Sequence, residues 1–332
     1  MRTRKQVKNK RYWRLSFVPQ IACLLREPSN YANRIGNLGG LKPKEDLSNL
    51  HCGKISANAK TKMRNAILWL DASAKWKWCY SKKTDKWFRW RLNFIHLTLP
   101  SQAGKNDKLI KKILNKFFLY AYRKTGLRSY VWKAEPQKRG EIHFHITSDC
   151  FIWKTTLQNI WNGCLRSYGL IGRHDNPPST RVHPTHNIKL MTAYLIKYMT
   201  KNDSNRRIIQ GRLWGCSRNL SQAKNFHITF TDEDMMAETT PLANQSVRVD
   251  QYDYITVFNL KPLYFESLPE CEVLKLYREK IHSIQKGYCA SKNYFYNENG
   301  IEMSFEEAIQ NNLPPIQQAL HEEQMQYSTL FS

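Results

Sequence analysis

The amino-acid sequence predicts an α+β fold, a ferredoxin-like antiparallel sheet with flanking helices, set between N- and C-terminal extensions. Three observations predict it. Between residues 91 and 183 the hydrophobic periodicity switches between 2 and 3.6 in the order strand, helix, strand, strand, helix, strand, which is the split βαβ order. At the middle of that series, Tyr130 to Ala134 and Ile142 to Thr147 flank Lys138-Arg139-Gly140, and the glycine suits the positive-φ position of a three-residue hairpin loop. The periodic segments are also punctuated by breakers, at Pro100, at Gly126 and in the stretch IGRHDNPPST.

The elements follow in order. Residues 1–14 carry seven Lys or Arg and no acid, which suits either a basic arm that touches phosphates or a solubilising tail. Tyr31 to Gly53 is rich in Gly, Asn and Lys and shows no assignable pattern. Lys60 to Lys83 has helical spacing, with Met63, Ile67, Leu70 and Ala74 on one face. Arg91 to Pro100 alternates as a central strand, placing Phe94, His96 and Thr98 on one face and Ile95, Leu97 and Leu99 on the other. Asp107 is expected to cap a helix with Leu109, Ile110, Ile113, Leu114, Phe117 and Phe118 inward, ended by Gly126. After the hairpin, Thr155 to Ser167 is a helix burying Leu157, Ile160, Trp161, Cys164 and Leu165, and Arg181 to His183 is a short strand. Asn187 can cap a further helix, Ile188 to Lys201, and the tail contains one from Cys271 to Lys286 with Leu274, Tyr277, Ile281 and Ile284 inward. The expected partition is a basic and irregular segment over 1–59, a main domain over 60–230 and an acidic helical extension over 231–332.

Charge is unevenly spread over the 332 residues: of the net +25, residues 231–332 contribute −9 and residues 1–230 contribute +34. Aromatics are interleaved with the basic residues, as in Trp76-Lys77-Trp78 and Lys86-Trp87-Phe88-Arg89-Trp90, so a polyanion with stackable faces is the expected partner. No apolar run is long enough to span a bilayer and the N-terminus lacks a signal-peptide core, so no membrane role is expected. The eight cysteines have no zinc spacing and suit a reducing cytoplasm. No GxxxxGK[ST] occurs, so no P-loop motor is encoded.

Two constellations carry chemistry. If residues 138 to 140 form the loop, Glu135 lies opposite His143 at a Cβ separation of about 4.5–5.5 Å, and His145 shares that face. Two imidazoles and a carboxylate then suit a divalent metal with open coordination positions. Glu141 is a rival third ligand, and a pair of half-buried strand histidines is the structural alternative. The second constellation is the helix NIKLMTAYLIKYMTK, whose Tyr194, Lys197, Tyr198 and Lys201 project from one stripe. A phenol with a pKa near 10 attacks poorly at neutral pH unless cations lower that pKa or a metal activates the electrophile. A tyrosine pair at this spacing also serves as ordinary packing.

His143-Phe144-His145 resembles the His-hydrophobe-His motif of HUH endonucleases, and Tyr194 to Lys201 resembles the paired-tyrosine motif of rolling-circle replication initiators from small single-stranded DNA bacteriophages and related plasmids. Phe94 to Pro100 stands where that family has its first motif strand, and Glu135 where many members place an acidic metal ligand. The resemblance covers roughly residues 90 to 230. It departs at His96, where members more commonly carry a hydroxyl or apolar residue. It implies a nuclease domain over 60–230 and a site- and strand-specific DNA endonuclease and ligase that starts rolling-circle replication through a 5′-phosphotyrosine. The implied metal is Mg²⁺ or Mn²⁺ at Glu135, His143 and His145, with Tyr194 or Tyr198 attacking beside Lys197 and Lys201. The implied partners are single-stranded or extruded origin DNA and a host helicase and polymerase in the bacterial cytoplasm. Arg139, Arg206, Arg207, Arg212 and Arg218 are the candidate DNA contacts. The rival readings are a non-catalytic binder of single-stranded nucleic acid and a paired-tyrosine transposase or relaxase.

Overall fold

The computed structural model describes residues 12–27, 55–75, 77–81, 84–100, 106–137, 140–150, 152–184, 207–223, 226–252, 255–260, 271–285, 295–296 and 302–311. Their elements, in chain order, are β1 (Tyr12–Val18), β2 (Ile21–Glu27), α1 (Ala57–Ser73), β3 (Lys77–Ser81), β4 (Lys86–Trp90), β5 (Asn93–Thr98), α2 (Asp107–Thr125), β6 (Tyr130–Pro136), β7 (Ile142–Ser148), α3 (Lys154–Arg166) and β8 (Thr180–Pro184). There follow β9 (Trp214–Cys216), α4 (Arg218–Gln222), β10 (Phe226–Thr231), α5 (Asp232–Gln245), β11 (Ser246–Gln251), β12 (Ile255–Leu260), α6 (Glu272–Gln285), β13 (Phe295–Tyr296), β14 (Glu302–Met303) and α7 (Phe305–Gln310). The chain forms two compact units, residues 1–73 with 196–286 and residues 74–195 with 287–332.

The second unit carries the predicted α+β core. Its strands lie in the order β8-β5-β7-β6, all antiparallel to their neighbours, which is the 4-1-3-2 arrangement of a ferredoxin-like sheet with β5 central. Helices α2 and α3 cover one face. Alternation along the strands sends Ile95, Leu97, Trp132, Ala134, Phe144 and Ile146 towards them, and all are buried. Trp161 of α3 is fully buried, with ring contacts to Phe117 at 5.8 Å and Phe144 at 6.3 Å, and its Nε1 donates to the Thr98 carbonyl at 2.9 Å. One indole thus joins α2, α3, β5 and β7 while its only polar atom stays satisfied. Phe118 stacks on Tyr130 at 3.9 Å, tying α2 to β6.

Helix ends follow local chemistry. The side chain of Asn106, rather than Asp107, accepts from the Leu109 amide at 3.0 Å and caps α2, while Asp107 is its first residue and adds negative charge to the first turn. Gly126 closes α2 at φ 71°, a left-handed position that glycine takes without a Cβ clash. The helix expected through Lys83 instead stops at Ser73, and β3 and β4 form an antiparallel ribbon turning at Asp85 (φ 48°). Alternation of aromatics wins there. Tyr80 faces Trp87 across the ribbon with rings 5.3 Å apart, and Trp78 is buried with Met303 and Ala308. Strand β13 adds to β3 in parallel, β14 follows it, and Trp87 Nε1 donates to the Asn311 carbonyl at 3.0 Å.

In the first unit the sheet order is β10-β1-β2-β12-β11, all antiparallel. Leu15, Phe17, Ala22, Leu24 and Phe258 are buried on one face. Helices α1 and α6 bring Trp69 and Tyr277, stacked at 6.0 Å, and Tyr277 meets Phe17 edge-on at 5.9 Å. Helix α6 matches the expected Cys271 to Lys286 segment to within a residue at each end, and buries Val273, Leu274, Tyr277 and Ile284. Among the described residues no helix is long and apolar enough to cross a membrane.

Candidate metal centre

The hairpin has the register expected from its loop. Gln137 N donates to Glu141 O at 2.8 Å, Gly140 N donates to Gln137 O at 3.0 Å, and Gly140 sits at φ 97°. Glu135 therefore pairs with His143 and Lys133 with His145. On the other side of β7, Thr98 of β5 pairs with His143 and His96 with His145, while Arg181 of β8 pairs with His96. Period-2 alternation puts all of these side chains on the face opposite α2 and α3.

Three half-buried imidazoles meet at the centre of this face. One nitrogen from each of His96, His143 and His145 lies within 4.8 Å of the others, as a metal-binding group requires. The rings stand edge-on, with centroids 4.6 Å apart for His143 and His145 and 4.7 Å for His96 and His145. His143 Nε2 faces His96 Nδ1 at 3.2 Å, while His143 Nδ1 is held by the Thr98 hydroxyl at 3.1 Å and the Gln137 amide at 3.2 Å. His145 Nε2 bonds Glu135 Oε2 at 3.0 Å, and Lys133 bonds Glu135 Oε1. Phe94 stacks on His145 at 5.6 Å. The donor set fits a divalent cation. His145 Nδ1 is buried with no hydrogen-bond partner among the described residues, and such an atom carries a desolvation cost that a bound cation would offset.

Electrostatics prepares the same arrangement. Burial, then the neighbouring His145 and Arg181, push His143 down to about 4 against the pull of Glu135, so its imidazole is neutral at pH 7 and keeps a lone pair. Burial works to raise the Glu135 carboxyl, but hydrogen bonds from His145 and Lys133 and their charges override it and hold the group at about 2. A permanently ionised carboxylate and a neutral imidazole are the protonation states that metal binding needs. The cysteines offer no rival nucleophile among those described: burial pushes Cys79 up to about 12 and Cys150, Cys164 and Cys216 up to about 11.

The other expected site residues are placed differently. Tyr194, Lys197, Tyr198, Lys201, Arg139 and Arg206 lie outside the described residues. Arg207, Arg212 and Arg218 belong to the first unit, with Arg212 and Arg218 exposed and Arg207 half-buried. Glu141 is buried and is not part of the histidine cluster. Trp78, Trp69 and Trp161 fill cores, so they present no face for base stacking. Sequence reasoning placed His96 on the correct strand face but not in the cluster. It also left out Lys133, Thr98, Gln137 and Arg181. The pairing of β5 with β7 is what joins them, and that pairing is not local in sequence.

Residues 93–203 match a family model of replication-associated proteins, the ORF2 type. The matched segment contains β5 to β8 and all three histidines, and the match supports a replication-initiator family and a role in replication initiation. No curated protein and no solved structure matches the chain.

Proposed function

We propose that residues 60–230 act as an HUH-type nuclease domain and that the chain is a site- and strand-specific DNA endonuclease and ligase initiating rolling-circle replication, as in small single-stranded DNA bacteriophages. The observation that carries this reading is the convergence of His143, His145 and Glu135 on one face of a ferredoxin-like sheet, inside the segment that matches replication-associated proteins. His143 and His145, with Glu135 as their acidic partner, would hold a divalent ion, for which the resemblance implies Mg²⁺ or Mn²⁺. The chemistry that such an ion supplies when bound is Lewis-acid polarisation of a phosphoryl oxygen.

The protein's own residues do the rest. The hydroxyl oxygen of Tyr194 or Tyr198 attacks phosphorus and loses its proton, and the bond to the 3′ oxygen breaks, with that oxygen gaining a proton. A 5′-phosphotyrosine and a free 3′-OH result. Because the ester conserves the bond energy, a 3′-OH can later reverse the step without ATP, and a second tyrosine permits a second cleavage while the first adduct stands. Lys197 and Lys201, each one turn from a tyrosine, favour the phenolate. Arg139, Arg206, Arg207, Arg212 and Arg218 would contact DNA phosphates. A host helicase and polymerase in the bacterial cytoplasm would open the duplex and extend the 3′ end.

Incubating the protein with single-stranded origin DNA and Mn²⁺, followed by denaturing electrophoresis, tests the reading. A covalent protein–DNA band that a chelator abolishes is expected. Binding of that DNA without any covalent band would leave a non-catalytic nucleic-acid binder.

A further inference from the structure

We infer that His96 is a metal ligand, and that the site it forms with His143 and His145 takes a first-row transition ion and discriminates against Mg²⁺. This deepens the preceding proposal, on which it rests only in taking this sheet face as the metal-binding one.

Geometry puts His96 in the cluster on equal terms with the hairpin histidines. It pairs directly with His145 across β5 and β7, and its Nδ1 faces His143 Nε2 at 3.2 Å. Two imidazole nitrogens at that distance share one proton or one cation, and the other nitrogen of His143 is already engaged by Thr98 and Gln137. His145 completes the triangle, with donor atoms of all three residues inside 4.8 Å. Glu135 cannot give both oxygens to a cation without losing partners, because Lys133 holds Oε1 and His145 holds Oε2. That is the arrangement of a carboxylate orienting a ligating imidazole, which makes Glu135 a positioning residue. The donor set is thus three nitrogens with little oxygen.

Nitrogen donors decide the metal. Mg²⁺ demands oxygen ligands and gives up its waters reluctantly, whereas imidazole suits the first-row transition ions, with affinity rising from Mn²⁺ through Fe²⁺, Co²⁺ and Ni²⁺. Of the two ions that the resemblance implies, this site favours Mn²⁺. Three protein ligands also leave coordination positions open.

The test uses the full chain, stripped with a chelator and titrated with Co²⁺ alone, read by visible ligand-field absorption and calorimetry. Stoichiometric Co²⁺ binding is expected, displaced by Zn²⁺ and unmoved by a large excess of Mg²⁺. His96→Ala should weaken Co²⁺ binding by at least about 100-fold, the upper end of what losing a partner that only orients a ligand costs. His96→Asp, which keeps a donor but makes it oxygen, should narrow the preference for Co²⁺ over Mg²⁺, and it carries the test together with the parent chain if His96→Ala does not fold. Displacement of Co²⁺ by comparable Mg²⁺, or unchanged Co²⁺ affinity in folded His96→Ala, would overturn the inference. No DNA is present, so the outcome is independent of cleavage. A chain that binds Co²⁺ in this way but never forms a DNA adduct keeps this inference and defeats the endonuclease reading. A chain that cleaves DNA but binds Co²⁺ equally well without His96 does the reverse.

Discussion

His143 and Glu135 face each other across the hairpin, and both have pKa values lowered by folding, which links stability to pH. His143 is lowered from 6.5 to about 4, so the unfolded chain binds its proton first and stability falls as pH drops from 6.5 through 4. Glu135 is lowered from 4.5 to about 2, so its contribution is fully present above 4.5 and is lost as pH falls through 2. Each shift corresponds to at most on the order of 3 kcal/mol. Urea midpoints in chelator should therefore decline between pH 7 and 4, and His143→Gln should flatten that part of the curve; a midpoint that stays level from pH 7 to 5 would contradict the burial of a neutral imidazole. At the same residues, His143→Ala or His145→Ala should abolish metal-dependent cleavage while leaving far-UV circular dichroism unchanged, because the core lies on the other face of the sheet. Glu135→Ala should weaken metal affinity by about 10–100-fold through loss of the partner that orients His145. Glu141→Ala should do less, and the reverse order, read by calorimetry, would return Glu141 to the site.

Elements with strong local signals were legible in the sequence, and those decided by pairing were not. Every residue expected inward on α3 is buried there, because a 3.6-period apolar stripe leaves few alternatives. The hairpin register was equally readable, since loop length fixes which residues face each other. By contrast, β1 and β2 form a hairpin around Gln20, whose φ of 71° is carried by a residue that announces no turn. The ribbon of β3 and β4 was hidden inside an apparent continuation of α1, because apolar spacing alone does not separate a short strand from a helix end. His96 belonged to a correctly read strand, yet its role depends on β5 lying beside β7. Packing at this scale is testable through Trp161, which joins two helices to two strands. Trp161→Ala should cost about 3–5 kcal/mol, seen as a drop in the urea midpoint, and a loss under about 1 kcal/mol would mean that this indole does not anchor the sheet. For the paired-tyrosine helix, phenylalanine keeps the ring and removes the attacking oxygen. If both tyrosines attack, Tyr194→Phe and Tyr198→Phe should each still form some DNA adduct but fail to release a closed circle. Peptide mapping that finds DNA on neither residue would remove the helix from the mechanism.

Across the whole molecule, long-range pairing and charge have to be reconciled. Trp13 donates to Asp232, 219 positions further along, and β1 lies against β10, so the first unit is assembled from distant segments of opposite charge balance. No local pattern encodes such a pairing, which is why the basic and acidic parts read as separate stretches of chain. The acidic segment is built into both units rather than standing apart: β11 and β12 complete one sheet, while β13 and β14 extend the ribbon of β3 and β4. Its net −9 is therefore spread through folded structure, and the +34 of residues 1–230 still has to find counterions or a polyanion. Each phosphate neutralised by Lys or Arg releases condensed cations, so affinity for single-stranded DNA should fall with salt at a logarithmic slope of about −0.7 per phosphate contacted. Residues 1–14 hold seven of the basic side chains and no acid. Deleting them should make the slope shallower, by up to about 5 if every one of those side chains meets a phosphate. The deletion should leave the cleaved sequence unchanged, since phosphate contacts position the chain without reading bases. Fluorescence anisotropy across a salt series measures the slope, and cleavage mapping on the same DNA measures the site. An affinity that ignores salt would place the binding energy in stacking, and a moved cleavage site would make the arm a reader of sequence.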